Sequence, residues 1–166
     1  MRIVVYQSET GFTKKYAEWI GTALDCEVKP MKQVNEQMVA SYDHVIYGGW
    51  IMGNMIVGLD KIRKMPVKEL CIFGVGSSKK SKEIKDAMIE MNHINNLPFF
   101  YMEGGFQFEK LGFIKRSILK MIKKSIVKKE NKTEQDLYMQ NVLGTSFDHT
   151  DIKNIEELVD YMKQRL

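Results

Sequence analysis

Three hydroxyl side chains, Ser8, Thr10 and Thr13, surround a glycine in the run Gln7-Ser8-Glu9-Thr10-Gly11-Phe12-Thr13. Short hydroxyls around a glycine, between an apolar strand and a helix, hold an anion without a dedicated cation. The N–H groups at the helix start point at the anion and the helix dipole adds partial positive charge. Ser8, Thr10 and Thr13 can donate further hydrogen bonds, Gly11 permits close approach of the backbone, and Phe12 and Glu9 offer main-chain N–H groups. Glu9 is the odd member, because it brings negative charge near a phosphate; its side chain is expected to turn to solvent. No Gly-Lys-Ser/Thr follows Gly11 and no Gly-x-Gly-x-x-Gly is present, so neither a nucleotide P-loop nor a dinucleotide fingerprint is indicated.

Two further segments share the glycine and hydroxyl character: Gly48-Gly49-Trp50-Ile51-Met52-Gly53-Asn54 and Phe73-Gly74-Val75-Gly76-Ser77-Ser78-Lys79. Other chemistry is thinly represented. His44, His93 and His149 are scattered without acidic or cysteine neighbours at ligand spacing, so no metal site is expected. Cys26 and Cys71 lie in apolar strand-like stretches and read as reduced core residues. No Ser/His/Asp or Cys/His arrangement is recognisable, and no side chain stands out as a catalytic acid or base.

The elements that must position these loops follow from the apolar pattern. Strand-like runs occur at Ile3 to Tyr6, Cys26 to Lys29, Asp43 to Gly49, Leu70 to Val75 and Phe99 to Met102. Between them, helical spacing covers Thr13 to Leu24, with Tyr16, Ala17, Ile20 and Leu24 on one face. Further helices are expected at Ser81 to Asn92, in the basic segment, at Thr133 to Asn141 and at Asp151 to Lys163. Continuous β-rich runs alternating with helices indicate an α/β fold with a parallel sheet covered on both faces. In such sheets ligands bind beyond the carboxyl ends of the strands, where the strand order reverses. The three loops follow the first, third and fourth strands, so all would open at one edge.

At 166 residues, 44% hydrophobic and 28% charged, the chain suits a single domain over 1–166 with a full core. The chain starts on a core strand and no run reaches transmembrane length, so a cytoplasmic location is expected. Charge is unevenly placed. Residues 110–132 hold nine basic side chains and one acid, Glu130, so this segment carries +8 in a chain of net charge +4. The remainder is mildly acidic, and no aromatic stacking platform accompanies the cations, so nucleic acid is not expected as a partner.

The pattern Ser8-x-Thr10-Gly11-x-Thr13 resembles the Ser/Thr-x-Thr-Gly-x-Thr signature of flavodoxins, which wraps the 5′-phosphate of FMN. The resemblance implies a three-layer flavodoxin-like sandwich with a five-stranded parallel sheet in the order 2-1-3-4-5. It implies FMN as cofactor, held at the phosphate by Ser8, Glu9, Thr10, Gly11, Phe12 and Thr13. Gly49, Trp50, Ile51, Met52 and Gly53 would lie under the inner face of the flavin, and Val75, Gly76, Ser77 and Ser78 along its outer edge. Two positions depart from the pattern. Met52 stands where many flavodoxins stack a Trp, with Trp50 two residues early, and Lys79 and Lys80 stand where a Tyr is common. A flavin less enclosed and more weakly held than in a typical carrier is therefore expected.

An insert of about residues 106–132 follows the fifth strand: Gly104-Gly105-Phe106-Gln107-Phe108, then Leu111-Gly112-Phe113-Ile114-Lys115-Arg116 and a basic helix. Together with Thr150-Asp151 before the last helix, it resembles the menaquinone-dependent protoporphyrinogen oxidase branch of the flavodoxin superfamily. That branch implies an FMN-dependent oxidoreductase passing electrons to a quinone. The alternatives are a non-enzymatic electron carrier with a redox protein partner, and a regulatory protein of this fold that has lost FMN. Leu111, Ile114, Ile118 and Ile122 form a helical stripe extended by Leu119 and Met121, while Arg116, Lys120 and Lys124 form a row along another side. Such a helix suits contact with an anionic membrane, peripheral on its inner face, or with an acidic ligand. It equally suits packing of the stripe on the domain with the lysines in water.

Overall fold

The computed structural model describes residues 1–165. In chain order the elements are β1 (Arg2–Gln7), α1 (Phe12–Leu24), β2 (Glu27–Pro30), α2 (Glu36–Ala40), β3 (His44–Met52), β4 (Met55–Ile56) and α3 (Leu59–Arg63). There follow β5 (Glu69–Gly76), α4 (Lys82–Met91), β6 (Phe99–Glu103), β7 (Gly105–Phe106), α5 (Phe113–Val127), α6 (Glu134–Val142), β8 (Phe147–Asp148) and α7 (Glu156–Lys163). The main sheet runs β2-β1-β3-β5-β6, all parallel, which is the expected order. The sixth strand, β4, was not anticipated; it pairs antiparallel with the end of β3.

Strand alternation divides the core into two layers. Ile3, Val5, Val45, Tyr47, Ile72 and Tyr101 face one way, onto Val39, Leu59, Ile62 and Met88 of α2, α3 and α4. Val4, Ile46, Cys71, Phe73 and Met102 face the other, onto Tyr16, Ala17 and Ile20 of α1 and Leu158, Val159 and Met162 of α7. Tyr16 ties this second layer together. Its ring is fully buried; its hydroxyl donates to the Glu103 carbonyl and accepts from Asn154 Nδ2 at 2.8 Å and Asp151 N at 3.2 Å. Burial of the phenol raises its pKa above the ordinary value.

Among the boundaries that differ from the sequence reading, three have a clear local reason. The second strand starts at Glu27, because the Cys26 N–H closes α1 on the Gly21 carbonyl at 3.0 Å. The third strand continues past Gly49 to Met52, because Gly53 and Asn54 both take positive φ, 53° and 67°, and turn the chain back into β4. The last helix opens as a 3₁₀ turn over Ile152–Ile155, with the Asp151 carboxylate accepting from Lys153 N at 2.9 Å.

The insert is longer than its basic run. β7 and β8 pair antiparallel, Gly105 with Asp148 and Phe106 with Phe147, and pin the base of an excursion over 107–146 that holds both α5 and α6. Thr133 and Asp136 form a capping box at the start of α6, and Lys129 Nζ reaches Asp136 at 2.6 Å. That pairing, with the Thr133 contacts, lowers the Asp136 carboxyl to about 2. Among the described residues no helix is long and apolar enough to cross a membrane.

Candidate functional site

Gly11 is the N-cap of α1, at φ +101°, in open space, with no side chain capping the helix. The first helical bond is from Lys15 N to the Gly11 carbonyl at 3.0 Å, so the N–H groups of Phe12, Thr13 and Lys14 precede the ladder. No acid lies in the first turn. Ser8 Oγ accepts from Gly11 N at 3.1 Å, which shapes the loop and leaves the Ser8 proton free to donate. Thr13 is buried, at 1% exposure, and Thr10 is half-buried. The Phe12 ring belongs to the core beside α7, so only its main chain is presented to a ligand.

Glu9 is exposed, as expected, but its carboxylate is not left alone. It pairs with Lys115 Nζ of α5, so the one acid of the loop is neutralised by the insert. A loop of N–H groups and hydroxyls, with its carboxylate compensated, fits a phosphate.

At the second loop Trp50 and Ile51 are half-buried, while Met52 is 60% exposed beside the exposed Gly53. Gly49 lies buried beneath the returning backbone at Ile56 and Val57. At the third loop the Val75 side chain packs in the core and Gly76 is covered by Tyr101. Ser77 and Ser78 are the half-buried, presented residues. The Ser77 carbonyl accepts from the Tyr138 hydroxyl at 2.7 Å, and Ser78 Oγ accepts from Gln135 Nε2 at 2.6 Å. Both donors come from α6. The exposed Lys79 and Lys80 leave this loop without an aromatic of its own, and Tyr138 of the insert meets it through its hydroxyl without lining the cleft.

Glu9, Trp50, Ile51, Met52, Gly53 and Ser77 line one cleft of about 540 Å³. Its opposite wall is the insert: Phe106, Leu111, Ile118, Ile122 and Phe147, with Lys115 at the rim. Phe106 and Phe147 stack at 6.3 Å. The expected open flavin edge is thus walled by side chains from residues 106–147, distant in the chain, which no local pattern reveals. The volume and apolar walls suit one planar aromatic group. Ser8 and Gly11 line instead an adjoining groove with Lys14, Lys32 and Lys61, and Glu9 stands between the two. Thr10, Phe12, Thr13, Gly49, Val75, Gly76 and Ser78 do not line the cleft.

The basic row is re-assorted. Arg116 is half-buried and turns back, its Nε donating to the Leu111 carbonyl at 2.7 Å and its Nη2 to the Glu109 carbonyl. Lys120 and Lys124 remain outward, and Lys128 continues their row one turn on. Among the described residues no group of three or more His, Cys, Asp or Glu side chains is placed to hold a metal ion.

A sequence model of the family described as flavodoxin domain matches residues 3–136. Comparison with curated proteins finds no match. Among solved structures the chain is similar to a flavodoxin from the domain Archaea, at 19% identity and TM-score 0.45, over 62% of this chain and 84% of that one. It is similar to two-electron reduced Megasphaera elsdenii flavodoxin at 19% identity and TM-score 0.41, over 61% and 82% respectively. Oxidised Flavodoxin 2 from Bacillus cereus matches at 14% identity and TM-score 0.40, over 84% of this chain and 92% of that one.

Proposed function

The chain belongs to the flavodoxin-domain family, and from that membership we propose that it is an FMN-binding redox protein whose cofactor lies across the three loops at the carboxyl edge of the sheet. The observation that carries this reading is the uncapped start of α1 at Gly11, set beside an apolar cleft of about 540 Å³. Ser8, Thr10 and Thr13 hydroxyls and the N–H groups of Glu9, Thr10, Phe12, Thr13 and Lys14 would hold the phosphate, with Gly11 letting the backbone approach. Trp50, Met52 and Ser77 would flank the ring. Bound FMN supplies reversible one- and two-electron chemistry, and the protein positions and tunes it. Lys115 keeps the Glu9 charge from opposing the phosphate, and Phe106, Leu111 and Phe147 exclude water from one side of the cleft.

The finer reading is an oxidoreductase acting on an organic substrate at that cleft, of the menaquinone-dependent protoporphyrinogen oxidase kind. What supports it is the apolar wall contributed by the insert, which a carrier docking only on proteins would not require. The second reading is a non-enzymatic electron carrier, supported by the 60% exposure of Met52 at the mouth of the cleft. Visible spectroscopy after FMN addition and gel filtration tests the common premise: a retained flavin spectrum is expected, and a colourless protein would remove both. Turnover of protoporphyrinogen with a menaquinone analogue is expected for the enzyme. Electron exchange with a ferredoxin reductase, without porphyrin formation, would favour the carrier.

A further inference from the structure

α5 buries none of its fifteen residues. Ile114 is 74% exposed, Met121 66%, Ile118 46% and Ile122 43%, and these four lie along one continuous strip of the helix surface. The expectation that the stripe packs on the domain holds only for Leu111, which is buried, and in part for Leu119. Alongside the exposed strip runs the row Lys120, Lys124, Lys128, one residue per turn. Among the described residues these three lysines make no ion pair, whereas Lys115 and Lys129 are both paired.

A surface of this kind requires a partner that is apolar and anionic at once. Because the strip stands on a convex helix rather than in a groove, the partner must also be flat or yielding. We propose that α5 docks on an anionic lipid bilayer, with Ile114, Ile118 and Met121 entering the headgroup boundary and Lys120, Lys124 and Lys128 lying against lipid phosphates. The charge distribution supports this choice: +8 is concentrated in residues 110–132 while the rest of the chain is net negative. The domain's remaining surface is therefore repelled and α5 faces the membrane. Each lysine near an anionic surface strengthens binding roughly fivefold, and exposed isoleucine and methionine add burial in the acyl boundary. Ile118 and Ile122 also line the cleft, so docking sets the cleft mouth against the bilayer.

The test is co-sedimentation of the full chain, without added FMN, with vesicles of phosphatidylcholine alone and of phosphatidylcholine with one-third phosphatidylglycerol. Omitting FMN keeps the outcome independent of the functional reading above. Binding to the anionic vesicles only is expected. Ile114→Glu with Met121→Glu, and separately Lys120→Glu with Lys124→Glu, should each lower it by about tenfold or more. All four positions are exposed, so circular dichroism should be unchanged. No binding to anionic vesicles would overturn the proposal, as would binding that survives both pairs of substitutions. A dimer in analytical ultracentrifugation that Ile114→Glu with Met121→Glu converts to monomer would also overturn it, by assigning the strip to a second copy of the chain.

Discussion

α1 and α5 are helices of similar length, 13 and 15 residues, and equally amphipathic, yet α1 buries seven residues and α5 buries none. In α1 the apolar face carries Tyr16, Ala17, Ile20 and Leu24 and meets a complete sheet. In α5 it carries Ile114, Ile118, Met121 and Ile122, all exposed, and only Ile118 and Ile122 reach a cleft. Periodicity therefore shows that a helix has an apolar face, and the layer opposite decides what that face does. α1 stabilises the fold and leaves its N-terminal N–H groups uncapped by any side chain. α5 adds little to the fold, walls the ligand cleft and offers its outer strip to a surface.

The largest expected contrast is in stability. Ile20→Ala should cost about 2–5 kcal/mol in urea denaturation, because a fully buried side chain leaves a cavity. Ile114→Ala should stay within about 0.5 kcal/mol. Equal losses would break the comparison. Tyrosine anchors of the core and of the insert, Tyr16 on α1 and Tyr138 on α6, sharpen it. Tyr16→Phe leaves the Glu103 carbonyl, Asn154 and Asp151 without their shared partner and should cost about 1–3 kcal/mol. Tyr138→Phe, at the half-buried contact between α6 and Ser77, should cost about 1 kcal/mol or less.

Ligand binding separates the regions differently. Gly11→Ala forces a Cβ onto a residue at φ +101° and should cost about 1–2 kcal/mol of stability. It should also weaken FMN more than about tenfold in a fluorescence titration, through the altered approach of the loop to the phosphate. Lys115→Ala removes an exposed pair worth about 0.2–1 kcal/mol to the fold. It should weaken FMN by only a few-fold, through the uncompensated Glu9.

The smallest effect is one of pH. Asp136 is held at about 2, below its ordinary 3.8, by Lys129 and Thr133. A carboxyl lowered on folding stabilises the folded form when ionised. Its contribution to the insert is complete above about pH 4 and disappears as pH falls toward 2. Hydrogen exchange in α6 should rise across that window in the native chain, and Asp136→Asn should remove the Asp136-dependent part of the rise.

The turn from β1 into α1 at Gly11 and the sheet order were legible because each rests on local signals: hydroxyls around Gly11 after an apolar run, and β-rich segments alternating with helices. The cleft was half legible. Glu9, Trp50 to Gly53 and Ser77 lie on loops the sequence marks, while Leu111, Lys115, Ile118 and Phe147 reach the site from elements distant in the chain. The β7–β8 pair that places them is two residues long on each side and joins Gly105 to Asp148. No periodicity marks so short and non-local a ladder. The same non-local pairing brings Lys115 to the exposed Glu9 side chain, a partner that local sequence does not reveal. Arg116 leaves the lysine row because carbonyls of the turn just before its helix, Glu109 and Leu111, accept its guanidinium. Helical spacing alone does not register that local competition.

The central claim is that the start of α1 binds the phosphate of a flavin. Parallel titrations of the apoprotein with FMN and with riboflavin, followed by flavin fluorescence, test it most directly, because the two ligands differ only by that phosphate. Saturable quenching by one FMN per chain is expected, with riboflavin bound at least about a hundredfold more weakly for loss of several charge-assisted hydrogen bonds. Equal affinity for the two, or no quenching by FMN, would contradict it.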